Sequence, residues 1–467
     1  MPPPDSAGSS KSPLAVVILA AGAGKRFRSD LPKVLHRAAG LPLVHHVLRA
    51  ANSLPGVDRV LVVVGNGADE VSGYVDSHFP GTVFVHQSEL LGTGDAVKRC
   101  RAALDGFAGT VLVLSGDSPL VTPETLGRLV DAHTSASAPA TVLAAAVPNP
   151  SGYGRIVRDT SGEVVDVVEE RDASEAHKRI NEVSSGIWAF EPEALFRALD
   201  RIDNNNAQGE YYLPQAALVM AREGGGLGSV TTSDPAEIEG VNDRLQLAAA
   251  ARVLWRRKIA DLAASGVSVE DPETTYVDAG VEVGPNTVIR PMTFVEGATR
   301  IGAGCLIGPS ARLVDSLVEE GAEVTFAVVK GSHVGPGATV GPFASLRPGT
   351  RLGPKAKVGT FVETKGSVIG EGSKVPHLSY VGDAEIGKGV NLAAGTITAN
   401  YDTESKVKST TVVEDGAFTG SDTTLIAPVR IGRNAGTGAG SVVTRDVEEG
   451  QIVAGVPARP FRKRKLE

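Results

Sequence analysis

The stretch HVGPGATVGPFASLRPGTRLGPKAKVG, His333 to Gly359, repeats an aliphatic residue at every sixth position. The repeated aliphatic residues are Val334, Val340, Leu346, Leu352 and Val358. A period of six is short for a helix pair or a propeller blade, but it fits one short strand followed by one corner. Three such hexads close one triangular coil, and stacked coils bury their aliphatic residues inside. The stretch therefore predicts a parallel β-helix.

The same spacing continues on both sides of this stretch and marks the extent of the repeats. Ile301 and Ile307 stand six apart, and Ile386 and Leu392 do so as well. The 55 glycines of the 467-residue chain are concentrated after about residue 280, which fits a fold with many tight corners. We expect the β-helix domain and its C-terminal tail to occupy residues 265–467.

The first half of the chain has a different pattern. Continuous apolar runs such as LAVVILAAG, RVLVVVG and GTVLVLSGD alternate with helical segments such as LVHHVLRAANSL and PETLGRLVDAHT. This pattern indicates an α/β domain, a Rossmann-like mixed sheet covered by helices, over residues 14–242. Residues 243–264 predict a linker helix, and residues 1–13 predict a disordered leader.

Composition excludes several classes of protein. A formal net charge of −8 argues against a general nucleic-acid binder. The longest apolar runs are far shorter than the ~18 residues of a membrane span. Two distant cysteines, Cys100 and Cys305, argue against a disulfide framework and fit a reducing cytoplasm. We therefore expect a cytoplasmic chain with no nucleic-acid or membrane partner.

The segment LAAGAGKRF, followed by SDLPKVLH, predicts a phosphate site. Gly22 and Gly24 lie in a turn after a buried strand, where backbone N–H groups can approach a phosphate chain. Arg26 and Lys33 add the positive charge that a polyphosphate requires. A single glycine turn would be weak evidence, but its combination with these two cations favours a function.

These motifs resemble those of the sugar-1-phosphate nucleotidyltransferases. The segments QSELLGTGDAV, LSGDSPL and EGVNDRLQLA follow in the order of that family. The resemblance implies that Asp117 and Asn242 bind Mg²⁺ and that Arg26 and Lys33 are catalytic. It also implies a nucleotide- and sugar-binding set: Leu19, Ala20, Ala21, Gly22, Lys33, Gln87, Gly92, Thr93, Ser115, Gly116, Asp117, Gly154, Glu169, Ser184 and Asn242.

The β-helix half carries polar residues that its repeats do not need. Arg347 and Lys365 differ by eighteen residues, so they can stack on successive coils and hold a phosphate. His377 could then act as a base toward a bound amino sugar. Glu363 could orient the substrate or support the protonated imidazole.

Taken over both halves, the motifs are similar to those of one bacterial family of bifunctional enzymes. Its members combine N-acetylglucosamine-1-phosphate uridyltransferase and glucosamine-1-phosphate N-acetyltransferase activities. The resemblance covers about residues 14–450 and implies a left-handed β-helix, a homotrimer, and UTP and acetyl-CoA as substrates. It implies His377 and Glu363 as catalytic residues. The implied binding residues for the amino sugar phosphate are Arg347, Lys365, Tyr380, Asn391 and Lys406. The implied acetyl-CoA residues are Ala394, Asn400, Tyr401, Ser421 and Ala439.

Four positions depart from the family pattern. Asp95 replaces the usual His, Ser184 replaces an Asn, and Phe27 replaces a Met. Gly455 stands about where some members have an Arg for coenzyme A.

Two other functions remain open from the sequence. The first is a single-activity sugar-1-phosphate nucleotidyltransferase whose β-helix is structural or regulatory, and the second is a non-catalytic scaffold. A β-helix metalloenzyme with three His ligands is disfavoured, because this half has only His333 and His377.

Overall fold

The computed structural model describes residues 12–136 and 138–464. The chain divides into two compact units, Met1–Val253 and Leu254–Glu467. Of the predicted leader, residues 1–11 lie outside the described residues.

The first unit is built on a mixed sheet. Its strands are β1 Leu14–Leu19, β2 Arg37–Ala38, β3 Leu41–Pro42, β4 Val57–Val64, β5 Val83–His86, β6 Thr110–Ser115, β7 Ala140–Ala146, β8 Gly154–Arg158, β9 Val164–Val168, β10 Glu182–Phe190 and β11 Gly228–Thr231. The main sheet has the strand order β11-β7-β10-β6-β1-β4-β5. Strand β1 pairs in parallel with β4 and β6, whereas β10 runs antiparallel to β6 and β7. The predicted α/β class is confirmed, because the central strands are apolar on both faces and buried by helices.

The helices follow from local sequence signals. In α4, Thr122 Oγ1 accepts a hydrogen bond from Thr125 N (3.2 Å), and proline stands in the first turn. The α-helices are α1 Leu43–Asn52, α2 Ala68–His78, α3 Thr93–Lys98, α4 Pro123–Ser135, α5 Pro192–Leu199, α6 Leu213–Glu223 and α7 Arg244–Ala264. Short 3-10 turns occupy Lys25–Phe27, Lys33–Leu35, Ala102–Leu104, His177–Arg179 and Pro235–Ile238.

None of the helices in the described part of the chain has the length and apolar composition of a membrane span.

The second unit is the predicted left-handed β-helix, with parallel strands on three faces. The first face comprises Ser268–Val269, Val288–Ile289, Leu306–Ile307, Glu323–Val324, Thr339–Val340, Lys357–Thr360 and Lys374–His377. The second comprises Tyr276–Val277, Phe294–Glu296, Arg312–Val314, Val328–Lys330, Ser345–Leu346, Glu363–Lys365, Tyr380–Gly382, Ile397–Ala399, Thr424–Ile426 and Val442–Val443. The third comprises Glu282–Val283, Arg300–Ile301, Leu317–Val318, His333–Val334, Arg351–Leu352, Val368–Ile369, Ala384–Ile386, Thr411–Val413 and Val429–Ile431. The strands Gly436–Thr437, Gln451–Ala454 and Arg459–Lys463 form a sheet near the C-terminal end.

The pairing register between strands of successive coils follows the six-residue repeats in the sequence. Leu346 pairs with Thr364, and Thr364 pairs with Val381, so each coil places the same side of the repeat inside. The second face makes one longer step, in which Thr398 pairs with Leu425. The additional residues leave the coil as a small hairpin closed by a bridge between Tyr401 and Lys408.

The interior of the β-helix combines aliphatic side chains with bonded hydroxyls. The hexad aliphatic residues are nearly inaccessible to solvent. Buried threonines bond to each other between coils: Thr350 Oγ1 lies 3.0 Å from Thr364 Oγ1, and Thr396 Oγ1 lies 2.7 Å from Thr419 Oγ1. Because these hydroxyls are satisfied, the corners carry polar groups without the cost of an unmade hydrogen bond.

Substitutions at two adjacent residues of one strand can test whether the hexad positions form the interior of the β-helix. Ile369 is fully buried, whereas 47% of Val368 is exposed. Ile369→Ala should lower the free energy of unfolding by about 2–5 kcal/mol, because it leaves a cavity between coils. Val368→Ala should change it by less than ~0.5 kcal/mol. Urea unfolding followed by far-UV circular dichroism measures both, and equal effects would contradict an interior built on the hexad positions.

Candidate functional site

The predicted phosphate turn and the predicted metal carboxylate meet at one edge of the first unit's sheet. Strands β1 and β6 are parallel and in register, so that Leu19 lies opposite Ser115. The turn after β1 and the acidic residue after β6 therefore leave the sheet side by side. Ser115 Oγ donates a hydrogen bond to Asp117 Oδ1 (2.6 Å) and orients that carboxylate.

Lys33, Asp117 and Asn242 converge at this edge from distant parts of the chain. The backbone N–H of Val241 donates to Asp117 O (2.8 Å), which brings the segment carrying Asn242 alongside Asp117. The Lys33 ammonium forms an ion pair with Asp117 Oδ2 and donates to Asn242 Oδ1 (2.8 Å). The side chains of Lys33 and Asp117 are only 12% and 18% exposed.

The two glycines of the turn have different tasks. Gly24 has a positive φ of 56°, and a Cβ there would lie 2.6 Å from Lys33 Cβ. Because Gly24 has a hydrogen in place of a side chain, Lys33 can pack against it. A Cβ on Gly22 would meet nothing within 4 Å, so the space beside Gly22 is open to a ligand.

A cavity of about 350 Å³ lies over this edge. The predicted residues that line it are Leu19, Ala20, Ala21, Gly22, Lys33, Gln87, Gly92, Thr93, Ser115 and Asp117. Arg26 is exposed and, like Gly116, is not among the lining residues. Glu210 lines the cavity but was missed by sequence reasoning. Its segment is held by Tyr211 N, which donates to Leu91 O (2.8 Å), and the polar run NNNAQGEYY was the available signal.

Asp95, one of the four departures from the family pattern, contacts a predicted nucleotide-binding residue. Gln87 Nε2 donates to Asp95 Oδ2 (2.8 Å) and to Gly92 O (3.1 Å). Arg99 Nε donates to the same Asp95 oxygen (2.9 Å). The side chain of Gln87 is thus fixed from one side at the wall of the cavity.

A second cavity of about 200 Å³ adjoins the first, because Leu19 and Thr93 line both. The predicted sugar residues Gly154, Glu169 and Ser184 line it. Ser184 Oγ accepts a hydrogen bond from Gly186 N (3.3 Å). Gly152 and Tyr153, from the segment GYGRI that resembles the family's sugar-recognition segment, line it as well. Residues that line it and were not predicted from the sequence are Ser185, Gly186, Trp188, Leu213 and Pro214.

Burial raises the pKa of Glu169 above its usual value of 4.5, and the nearby carboxylates of Asp172 and Glu210 raise it further. This carboxylate therefore takes up a proton more readily than an exposed glutamate does.

The residues at the sheet edge have the donor chemistry that Mg²⁺ requires. A carboxylate oxygen of Asp117 and an amide oxygen of Asn242 already converge on one cation, the Lys33 ammonium. Hard oxygen donors of this kind, completed by phosphate and water, suit Mg²⁺. Within the described residues there is no cluster of three or more His, Cys, Asp or Glu side chains suited to a metal.

The second face of the β-helix gathers cations on successive coils. Arg347 donates to Glu363 Oε1 (2.9 Å), and these side chains are about half exposed. The Lys408 ammonium, and more weakly Arg347, lower the pKa of Lys365. Lys408 lies in the hairpin and was not predicted from the sequence. The residues thus form an exposed cationic patch next to Glu363.

Tyr380 and Asn400 border this patch. Tyr380 lies opposite Glu363 in the register, and a Cβ on Gly382 would collide with the Tyr380 ring, so the ring lies over the glycine. Asn400 Nδ2 donates to Asp383 Oδ2 on the preceding coil. Tyr401 and Lys406 are exposed in the hairpin, and Asn391 is exposed on the first face.

His377 lies at the corner between the first and second faces, three residues before Tyr380. Its side chain is exposed, and its backbone oxygen accepts from Gly395 N (3.3 Å). The next coils repeat the same corner, since Asp422 N donates to Ala394 O (2.7 Å) and Gly440 N donates to Ser421 O (2.8 Å). The predicted acetyl-CoA residues Ala394, Ser421 and Ala439 therefore follow His377 down one edge. Glu363 bonds to Arg347 on the second face, and no hydrogen bond joins it to His377 within the described residues.

A comparison with known protein families identifies the class of the first unit. Residues 16–183 match the family of MobA-like NTP transferase domains. A putative glucose-1-phosphate thymidylyltransferase of known structure from Bacillus anthracis is 17% identical, with a TM-score of 0.43, and covers 51% of this chain and 94% of its own. The first unit thus contains an NTP transferase domain over residues 16–183, and the second unit is a left-handed β-helix.

Relatives over nearly the whole length identify the family. A protein of Rubrobacter xylanophilus is 48% identical over 453 residues, which are 97% of this chain and 95% of the relative. One of Syntrophomonas wolfei is 46% identical over 434 residues, 93% of this chain and 95% of the relative. Both bear the name bifunctional protein GlmU. The chain belongs to this family, which confirms the resemblance stated from the motifs and disfavours both the single-activity function and the scaffold.

The raised pKa of Glu169 gives a prediction about pH. Ionising this buried carboxylate costs more in the folded chain than in the unfolded one, so the wild type loses stability as pH rises through the folded-state pKa. Glutamine is neutral at every pH. The melting temperature of Glu169→Gln relative to wild type should therefore rise between about pH 5 and about pH 8.

The matched control is Glu175→Gln, because 84% of the Glu175 side chain is exposed. Its melting temperature relative to wild type should stay nearly constant over the same range. A difference for Glu169→Gln that does not change with pH would contradict a buried, desolvated carboxylate.

Proposed function

We propose that the chain makes UDP-N-acetylglucosamine in two steps at two separate sites. The second unit acetylates glucosamine-1-phosphate with acetyl-CoA, and the first unit transfers uridylate from UTP to the product and releases pyrophosphate. The observation that supports the first unit's role best is the convergence of Lys33, Asp117 and Asn242 beside an open glycine turn.

In the uridylyl transfer, an oxygen of N-acetylglucosamine-1-phosphate attacks the α-phosphorus of UTP, and the bond to pyrophosphate breaks. Asp117 and Asn242 would hold Mg²⁺, which supplies positive charge for the phosphates when it is bound. Lys33 and Arg26 would add positive charge along the triphosphate. The protein's main task is to position two anions that repel each other.

The two adjoining cavities would divide the substrates between them. Gln87, Gly92 and Thr93 line the larger cavity and would contact the base. Glu169 and Ser184 line the smaller cavity and would contact the sugar. Because Leu19 and Thr93 line both cavities, the sugar phosphate and the nucleotide would meet at the end of β1.

In the acetyl transfer, Arg347 and Lys365 would bind the phosphate of glucosamine-1-phosphate, together with Tyr380, Asn391 and Lys406. His377 would remove a proton from the sugar ammonium. The free amine then attacks the thioester carbonyl, a C–N bond forms, and the thiol of coenzyme A leaves. The edge below His377, with Asn400 and Tyr401 at the hairpin, would hold acetyl-CoA.

We propose, in addition, two domains at residues 14–242 and 265–467 that are joined by a linker helix at residues 243–264, a homotrimer in which neighbouring subunits complete the acetyl site, and a cytoplasmic location. The exposure of His377 and of the cationic patch leaves them accessible to substrates and to a neighbouring chain.

His377→Ala should abolish acetyl transfer and leave uridylyl transfer unchanged, because only the first reaction needs the imidazole. We expect thiol release to fall by roughly 10²-fold or more, the usual contribution of a general base. His333→Ala is the matched control: His333 lies in the same β-helix, and Glu319 Oε1 is 2.7 Å from its ring nitrogen. Equal losses of thiol release in the two variants would contradict a catalytic role for His377.

Asp117→Ala should have the opposite effect. Pyrophosphate release should fall by roughly 10²-fold or more, because one of the two side-chain oxygens that would hold Mg²⁺ is lost. Thiol release should be unchanged. Asp76→Ala, at an exposed position on α2, is the control. The proposed division of labour would be wrong if Asp117→Ala, with its fold intact, lost both activities together.

A further inference from the structure

Both hydrogens of the Gln87 side-chain amide are bonded. Nε2 donates to Gly92 O (3.1 Å) and to Asp95 Oδ2 (2.8 Å). A carbonyl and a carboxylate can only accept hydrogen bonds, so these partners determine which end of the amide faces them. Rotating the amide by half a turn would place its oxygen against two acceptors and would lose both bonds.

Asp95 is itself held in place. Its side chain is 15% exposed, and Arg99 Nε donates to the same oxygen that Gln87 uses (2.9 Å). The backbone of Gln87 is fixed as well, because its N–H donates to Val64 O (2.8 Å) at the end of β4. Gln87 is therefore held in place at its backbone N–H and at its side-chain Nε2.

The oxygen of the same amide is left free for a ligand. Gln87 lines the larger cavity, and no described residue donates a hydrogen bond to its Oε1. A free acceptor at a cavity wall suits a base that presents an N–H group. Uracil presents N3–H, whereas cytosine presents a lone pair at N3, which would face the oxygen unfavourably.

We propose that Asp95 is a positioning residue for nucleotide choice: it holds the Gln87 amide so that its oxygen faces the base, which favours UTP over CTP. This inference rests on the proposed uridylyl transfer and adds the residue that sets its preference for the base. Asp95 acts through Gln87 and does not itself need to contact the substrate.

The test compares kcat/KM for UTP and for CTP, measured as pyrophosphate release with N-acetylglucosamine-1-phosphate and Mg²⁺. In Asp95→Ala, the UTP:CTP ratio should fall by about tenfold, because one of the two bonds that orient the amide is lost. Arg99→Ala should lower the ratio less, by about two- to threefold. The ratio compares two substrates on one sample, so it does not depend on how much of a variant is folded.

A double-mutant cycle with Gln87→Ala separates positioning from a general effect on the cavity. If Asp95 acts through Gln87, Asp95→Ala should leave the UTP:CTP ratio of Gln87→Ala unchanged. The inference is overturned if Asp95→Ala keeps the wild-type ratio, or if it lowers the ratio equally in the Gln87→Ala background. A wild type that releases no pyrophosphate from UTP would instead overturn the proposed function, and this inference with it.

Discussion

The parallel hydrogen-bond ladder between coils is the constraint on which the second unit depends. Because most coils repeat after sixteen to eighteen residues, the ladder determines which side chains become neighbours. It places Thr364 beside Leu346, and with them Lys365 beside Arg347. Like charges are brought together by the core beneath them, and an anion that binds there relieves their repulsion. The chemistry of this face is thus a consequence of how the aliphatic interior stacks.

The first unit also brings charged side chains together, but it does so at the edge of a sheet. Parallel strands deliver the loops after β1 and β6 to one edge, and the turn at Gly24 leaves room for Lys33 beside Asp117. Opposite charges meet here in a half-enclosed space, in contrast to the open patch around Arg347. A polyphosphate with its metal needs enclosure and fixed oxygen ligands, whereas an amino sugar phosphate needs exposed cations and a nearby base. The half-enclosed edge and the open cationic patch therefore have the charges that the two proposed reactions need.

The sequence predicted the features that have a period or a motif. The hexads predicted the β-helix, the apolar runs predicted the sheet, and spacing alone placed Arg347 over Lys365. Contacts between loops could not be predicted in this way, since no periodicity relates their partners. Asp95 appeared in the sequence only as a departure from a pattern, and its hydrogen bond to Gln87 became visible in the structure. Lys408 was missed for the same reason, because the hairpin that brings it to Lys365 interrupts the repeat.

We propose that one chain carries out two reactions at separate sites, with acetyl transfer before uridylyl transfer. The most direct measurement supplies glucosamine-1-phosphate, acetyl-CoA, UTP and Mg²⁺ and follows thiol and pyrophosphate separately. Thiol release should proceed without UTP, and pyrophosphate release from glucosamine-1-phosphate should depend on acetyl-CoA. Pyrophosphate released at the same rate without acetyl-CoA, or an absence of thiol release, would show that the two reactions do not follow each other in this order.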